Sequence, residues 1–215
     1  TLSAGAFPFG TLEDTKRTVD GDDWIDVWKK HFRPIHLGNI VVVPEWIEYT
    51  PQENEQVVLL DSNMAFGTGE HETTSMCVEE MQPYITPDCV CIDVGCGSGI
   101  LAISSLLLGA KSAFGVDIDP LAVKTAKENG LMNNFKEPEL VFVCGDLDEN
   151  VKGKYSVVVA NIVADVIMMF APNVRKYMAP DGVFIASGII DTRADEVISC
   201  LEQNGFTILE RYEQG

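Results

Sequence analysis

The stretch CIDVGCGSGILAI, residues 91–103, leads an apolar run into three glycines and then into a second apolar run with helical spacing. A strand followed by a glycine loop and a helix is typical of an open parallel sheet, whose ligands bind beyond the carboxyl ends of the strands. Glycines let the backbone turn tightly and let a ligand approach the N–H groups at the start of the helix. The stretch therefore predicts both a fold and a ligand site at Gly95, Gly97 and Gly99.

Strand and helix patterns alternate from residue 89 to the end of the sequence. The strand patterns cover 89–94, 112–117, 139–143, 155–160, 183–187 and 206–211, and the helix patterns cover 99–108, 120–131, 163–178 and 192–204. Strands that are apolar along their whole length are typical of a parallel sheet covered on both faces. The predicted fold class is therefore α/β, a doubly wound, mostly parallel, Rossmann-like sheet. Asp119 as N-cap and Pro120 at the first helical position mark one helix start clearly.

The first part of the chain differs in pattern from the rest. Residues 1–21 are rich in Gly, Thr and Asp without any period, which indicates a linker. Residues 22–72 are interpreted as an extension of the main domain, which runs from 22 to 215. Trp24, Trp28 and Phe32 share one stripe of a short helix, and NIVVVPEW and QVVLLD predict two short strands, interpreted as a hairpin.

Composition limits the class of protein. The chain of 215 residues is 46% apolar, enough for one substantial core. No run of 18 apolar residues and no signal-peptide pattern occurs, which predicts a cytoplasmic protein that does not enter a membrane. The net charge of −18 disfavours nucleic acid and favours a basic partner. Six cysteines without a CxxC pair are predicted to be small buried hydrophobes, not metal ligands.

Three ligand classes compete for the glycine loop. A nucleoside triphosphate loop requires a Lys after the last glycine, and none follows Gly99. A dinucleotide loop, as in an NAD-dependent dehydrogenase, requires Gly or Ala where Ile100 stands. The pattern GxGxG preceded by Asp93 is similar to the S-adenosylmethionine loop of class I methyltransferases. Asp117, 22 residues after Gly95 at the end of the next strand, is suited to accept both hydroxyls of a ribose.

Two further observations agree with that ligand. Asp146 follows another predicted strand, where this fold often places a side chain near the adenine amino group. S-adenosylmethionine carries a sulfonium, an ammonium and one carboxylate but no phosphate. An acidic protein is therefore compatible with it, whereas the same charge would disfavour a pyrophosphate.

A second stretch, NMAFGTGEHETTS at residues 63–75, narrows the family. Thr73 or Thr74 could serve as the N-cap of the helix pattern that follows, and His71 is most simply structural. The whole string, however, resembles the AFGTGxHxTT signature of the PrmA family, bacterial methyltransferases of a large-subunit ribosomal protein. DVGCGSGILAI, GVDIDP and VVANIVADV extend the resemblance over most of the chain.

The resemblance implies a set of cofactor contacts. Thr74, Gly95, Asp117 and Asn161 would touch S-adenosylmethionine, and Phe66 would wall the cleft. Together with the residues argued above, the predicted cofactor site consists of Phe66, Thr74, Asp93, Gly95, Gly97, Asp117, Asp146 and Asn161, with no metal. Asn161 is also the candidate catalytic residue, because it ends a central strand where it could accept hydrogen bonds from an amine.

The resemblance also implies a function. Members of the family use S-adenosylmethionine to methylate lysine and N-terminal amines of protein eleven of the large ribosomal subunit. Two alternatives stay open: a methyltransferase acting on another protein or a small amine, and a cofactor-binding module without activity. Family members also carry an N-terminal domain that docks the substrate and a further C-terminal strand. The sequence starts in the linker after that domain and ends before that strand, so a fragment of a longer protein is expected.

Overall fold

The computed structural model describes residues 33–61, 72–146 and 151–213, which belong to one compact unit, Arg33–Gly215. Its strands are β1 Ile35–Leu37, β2 Ile40–Pro44, β3 Gln56–Leu60, β4 Val90–Val94, β5 Ser112–Asp117, β6 Leu140–Cys144, β7 Tyr155–Asn161 and β8 Met178–Ser187. Its α-helices are α1 Glu72–Met81, α2 Ile100–Leu107, α3 Pro120–Met132, α4 Ala164–Val174 and α5 Asp191–Gln203.

The main sheet has five strands in the order β6-β5-β4-β7-β8, and every neighbouring pair is parallel. This confirms the predicted doubly wound α/β fold. The chain moves outward from β4 to β5 and β6, and then returns to the other side of β4 with β7. Because the strand order reverses there, the carboxyl ends of β4 and β7 border the crevice in which open α/β sheets bind ligands.

Both faces of the main sheet are covered. Successive residues of one strand point to opposite faces, so Cys91 belongs to the core beneath α1 and α2 while Ile92 belongs to the core beneath α4. Val157 and Val158 divide in the same way on β7. This explains why the strands are apolar along their whole length. The prediction of buried cysteines is confirmed for Cys77, Cys89, Cys91 and Cys96, whereas Cys144 is exposed.

A second sheet of three strands, in the order β1-β2-β3, packs against α2 and α3. The predicted hairpin of NIVVVPEW and QVVLLD is wrong in its pairing, because β2 and β3 run parallel, with Val41 opposite Val57. The antiparallel partner of β2 is β1, a strand of three residues that is too short to show a pattern in the sequence. The helix predicted around Trp24 and Trp28 lies outside the described residues.

The C-terminal third differs from the prediction in two places. Helix α4 ends at Val174 and β8 already begins at Met178, although Pro180 and Gly182 lie inside β8 and normally indicate a turn. These residues form an irregularity in the pairing with β7, between Met178 and Val183. The strand predicted at 206–211 is absent, since those residues have no regular structure. Their apolar side chains, such as Phe206, pack against α4 and α5.

Candidate functional site at the carboxyl edge of the sheet

The predicted site residues gather at one edge because parallel strands place all their carboxyl ends on the same side. Asp93 lies in β4, Asp117 and Asn161 are the last residues of β5 and β7, and Asp146 follows β6. Thr74 lies in the first turn of α1, which packs on β7 and β8. Phe66 lies outside the described residues.

The glycine loop contacts both neighbours of β4. Gly95 has a φ of 72°, in the left-handed region that favours glycine. Its N–H donates to the carbonyl of Val116 at 2.8 Å, which fixes the loop to β5. A Cβ at this position would lie 2.5 Å from Cγ2 of Ile162, the residue that follows β7. A residue with a side chain would therefore be strained here, both by the positive φ and by the contact with Ile162.

Asp117 braces the loop while keeping acceptor capacity. Its Oδ2 accepts from the N–H of Gly97 and its Oδ1 from the N–H of Asp119, both at 2.9 Å. Asp119 caps α3 through Leu121 N–H at 2.8 Å, with Pro120 in the first turn, as predicted. A carboxylate offers about four acceptor positions, so two N–H bonds leave room for two hydroxyl donors. Asp117 is partly exposed and can present them to a ligand.

Asp93 lies beneath the loop instead of at its open side. Its side chain is 1% exposed, and its Oδ2 accepts from the N–H of Ala102 at 3.3 Å, in the first turn of α2. The other oxygen has no hydrogen-bond partner among the described residues. Burial raises the pKa of this carboxyl to about 7, and the charge of Asp117 adds to the shift, against a lowering by the Ala102 N–H. The arrangement anchors α2 to β4, close under the predicted ligand.

Asp146 is exposed at the end of a described segment. The preceding residue, Gly145, donates its N–H to the carbonyl of Asp117 at 2.9 Å. The backbone before Asp146 is thereby held directly beside the residue predicted to bind ribose. This neighbourhood is compatible with the predicted adenine contact.

Thr74 and Asn161 are joined directly. Helix α1 begins at Glu72, so Thr73 and Thr74 stand in its first turn, and the prediction that one of them is the N-cap is wrong. Thr74 is 1% exposed, and its Oγ1 accepts from Nδ2 of Asn161 at 3.1 Å. One of the two amide N–H groups of Asn161 is thus used inside the protein. Its Oδ1 retains acceptor capacity at the mouth of the central strands.

The end of β8 supports the pair of Thr74 and Asn161. This support was not predicted from the sequence. Oγ of Ser187 donates to the carbonyl of Thr73 at 3.2 Å, so β8 holds the first turn of α1. A Cβ on Gly188 would meet the carbonyl oxygen of Ile162 at 2.8 Å and Oδ1 of Asn161 at 3.1 Å. The one available signal was Ser-Gly at the end of an apolar strand, a pattern too common to stand out.

A cavity of about 550 Å³ lies between α1, β8 and residues 205–213. It reaches Thr73 and Gly188 at one end but is not lined by the glycine loop or Asp117. Within residues 33–61, 72–146 and 151–213, no three His, Cys, Asp or Glu side chains are grouped to hold a metal ion. No helix in that part of the chain is long and apolar enough to cross a membrane.

Comparisons with known proteins agree with this geometry. A protein of Clostridium perfringens named ribosomal protein L11 methyltransferase is 47% identical over 207 residues, 96% of this chain and 65% of the relative. A protein of the same name from Clostridium botulinum is 47% identical over 198 residues, 92% of this chain and 63% of the relative. The chain thus spans slightly less than two thirds of the length of these curated relatives.

Solved structures and a family model point the same way. The crystal structure of ribosomal protein L11 methylase from Lactobacillus delbrueckii subsp. bulgaricus superposes with a TM-score of 0.80 at 31% identity, covering 86% of this chain and 94% of that one. The precorrin 8W decarboxylase of Methanobacterium thermoautotrophicum, with a TM-score of 0.55 at 19% identity over 64% of this chain and 75% of that one, shares the fold alone. The model of the family described as ribosomal protein L11 methyltransferase (PrmA) matches residues 4–215. The chain therefore belongs to the PrmA family of ribosomal protein L11 methyltransferases.

Proposed function

We propose that this chain binds S-adenosylmethionine at the carboxyl edge of β4, β5 and β7 and methylates amines of ribosomal protein L11. The observation that carries the proposal is Asp117, whose carboxylate is fixed by the Gly97 and Asp119 N–H groups and still has acceptor positions for two hydroxyls. Family membership supports the reaction class and the substrate.

The residues present fit the cofactor. Asp117 suits the two adjacent hydroxyls of a ribose. Gly95 has no side chain and lies close to Ile162, so a ligand would meet the backbone of the loop at this position. Helix α2 begins at Ile100, and its N-cap, Gly99, has no side chain to cap it, so the N–H groups of Ile100 and Leu101 suit the carboxylate of the methionine part. Asp146 beside Asp117 suits the adenine amino group. A pyrophosphate would instead lie beside the carboxylates of Asp117 and Asp146, whose negative charge disfavours it.

Most of the catalytic work assigned to the chain is positioning. When bound, S-adenosylmethionine supplies a methyl group on a sulfonium, which is activated toward a nucleophile. A lysine amine with an ordinary pKa of about 10.4 must lose its proton before it reacts, at a cost of roughly 4 to 5 kcal/mol at pH 7. Asn161 donates to Thr74, so we assign its Oδ1 and the neighbouring carbonyls to accept hydrogen bonds from the amine. Those bonds would aim the nitrogen lone pair, and such alignment is a large source of rate enhancement.

Isothermal titration with S-adenosylmethionine and, separately, NAD tests the cofactor assignment. We expect saturable binding of S-adenosylmethionine alone. Asp117→Ala should weaken it roughly 100-fold, because two hydrogen bonds to a charged acceptor are lost. Asp119→Ala is the matched control: it removes a carboxylate two residues away and the cap of α3, so it should lower stability by about 1 kcal/mol. Its affinity for the cofactor should stay within about threefold of the wild type.

Labelled methyl transfer to purified ribosomal protein L11 and to mixed ribosomal proteins tests the acceptor. Label on L11 alone supports the proposed substrate, and label on another protein would identify a different acceptor. Binding of the cofactor without transfer, while a full-length relative labels the same sample, would make this chain a cofactor-binding module. Tight NAD binding would contradict the cofactor assignment itself.

A further inference from the structure

Helix α3 and its C-cap supply two asparagines one turn apart, Asn129 and Asn133, and both bind the backbone of the β3 region. Oδ1 of Asn133 accepts from the N–H of Leu59 at 2.8 Å, and its Nδ2 donates to the carbonyl of the same residue at 2.7 Å. One side chain thus satisfies both backbone groups of Leu59, as a neighbouring strand would. Asn133 attaches the small sheet to α3 and contacts nothing in the glycine loop among its described hydrogen bonds.

Asn129 makes a different connection. Its side chain is fully buried, with an exposure of 0%. Oδ1 accepts from the N–H of Asp61 at 2.9 Å, and Nδ2 donates to the carbonyl of Ser98 at 2.8 Å. Asp61 follows β3, directly before the signature at residues 63–75, and Ser98 lies in the glycine loop. One amide therefore joins the residue that follows β3 to the glycine loop, which is the predicted cofactor loop.

The bond to Ser98 completes the fixation of one peptide unit in the loop. The N–H of Gly99, on the other side of that peptide bond, donates to the carbonyl of Cys96 at 2.7 Å. With Asn129 holding the Ser98 carbonyl, both polar groups of the unit have partners and its orientation is set. Because α2 begins at the next residue, this orientation also sets the direction of the first N–H groups of the helix.

We propose that Asn129 is a positioning residue for the cofactor, and that it acts by coupling the glycine loop to the carboxyl end of β3 at Asp61. The inference rests on the proposed function. It requires a side chain that donates on one side and accepts on the other, and among side chains of this size only Asn does both with one planar group. A substituted side chain removes the Asn129 bond to the Ser98 carbonyl at a buried position, and the loop can then reorient.

Asn129→Ala and Asn133→Ala form the matched pair of variants. Each removes two side-chain bonds between α3 and the rest of the protein, so both should lower stability. We expect Asn129→Ala to weaken S-adenosylmethionine binding at least about tenfold in isothermal titration below the melting temperature, and Asn133→Ala to change it less than about twofold. Equal cofactor affinities for the two variants would overturn the proposal, because a purely structural role affects both alike.

Amide hydrogen exchange on the wild type provides a test that does not depend on a folded variant. If Asn129 couples the two segments, cofactor binding should slow exchange at the Asp61 N–H several-fold more than at the Leu59 N–H, which Asn133 holds. Equal slowing at both amides would contradict the coupling. A wild type that does not bind S-adenosylmethionine would overturn the proposed function first, and the inference with it.

Discussion

Asp93 is the residue whose environment departs most from what the sequence suggests. Its position before the loop predicted a cofactor contact. In the structure, however, Asp93 is only 1% exposed, and its carboxyl lies under α2. Burial raises its pKa to about 7, while the ordinary pKa of Asp in an unfolded chain is about 3.9. Between about pH 4 and 7 the folded state therefore binds more protons than the unfolded state. The contribution of this group to stability falls as pH rises through that window.

Asp93→Asn should remove this pH dependence. The amide oxygen can still accept from Ala102, and no charge has to be buried above pH 7. We expect the unfolding free energy of the variant, relative to wild type, to increase by about 1 to 3 kcal/mol between pH 5 and pH 8. Urea denaturation at several pH values measures it. Asp88→Asn, which removes an exposed carboxylate, controls for the lost charge. A relative stability that stays constant with pH would contradict an uncharged Asp93.

At the scale of elements, the ends of β7 and β8 together shape the predicted acceptor side of the site. Asn161 ends β7 and bonds to α1, Ser187 ends β8 and bonds to the same turn of α1, and Gly188 leaves room for Asn161. Three elements therefore fix the direction of one amide. Movement at any of them should alter the alignment of the amine more than the affinity of the cofactor.

Two substitutions test this arrangement. Asn161→Ala should lower turnover of labelled methyl transfer by roughly 100-fold while cofactor affinity changes less than about threefold, since only the positioning of the acceptor is lost. Gly188→Ala should act in the same direction, because its Cβ would displace Asn161 or Ile162. Gly109→Ala is the control, as Gly109 also has a positive φ, 106°, but an added Cβ meets no atom within 4 Å. An unchanged turnover of Asn161→Ala would remove Asn161 from the mechanism.

Elements with a strong local signal were predicted well. The strand at 112–117 matches β5 at both ends, and α3 begins at Pro120 as its cap and proline indicate. The failures are elements whose state depends on a distant partner. Residues 206–211 have apolar side chains suited to a strand. A strand, however, requires a neighbouring backbone, and a cavity lies between these residues and β8. No local sequence pattern indicates how far residues 206–211 lie from β8.

At the scale of the whole molecule, the site residues also divide into those with a local sequence signal and those that depend on distant partners. Asp117 and the glycines follow a spacing that the open parallel sheet imposes, so the sequence alone predicts that they lie at the carboxyl edge of the sheet. Asn129, Ser187 and Gly188 act through contacts that no spacing encodes, because their partners are far away in the chain. The loop could thus be predicted from its own residues, whereas its supports could not.

The net charge of −18 is a property of the whole chain with a consequence for its proposed substrate. Exposed carboxylates such as Asp88 and Asp146 repel anions and attract a basic protein over distances of about a Debye length, roughly 10 Å at 0.1 M salt. Salt screens this attraction, which acts mainly on the association rate. Cofactor binding is local by comparison, since S-adenosylmethionine is small and is held by direct hydrogen bonds.

We therefore expect salt to separate the two ligands. Raising sodium chloride from about 50 to 500 mM should lower kcat/KM for ribosomal protein L11 roughly tenfold or more, because screening weakens long-range attraction to the basic substrate. The dissociation constant of S-adenosylmethionine, measured by titration over the same range, should change less than about threefold. If kcat/KM and the affinity for S-adenosylmethionine fell together, salt would be acting on the cofactor site. A constant kcat/KM would mean that the substrate is recognised through short-range contacts, and that the acidic surface serves solubility instead.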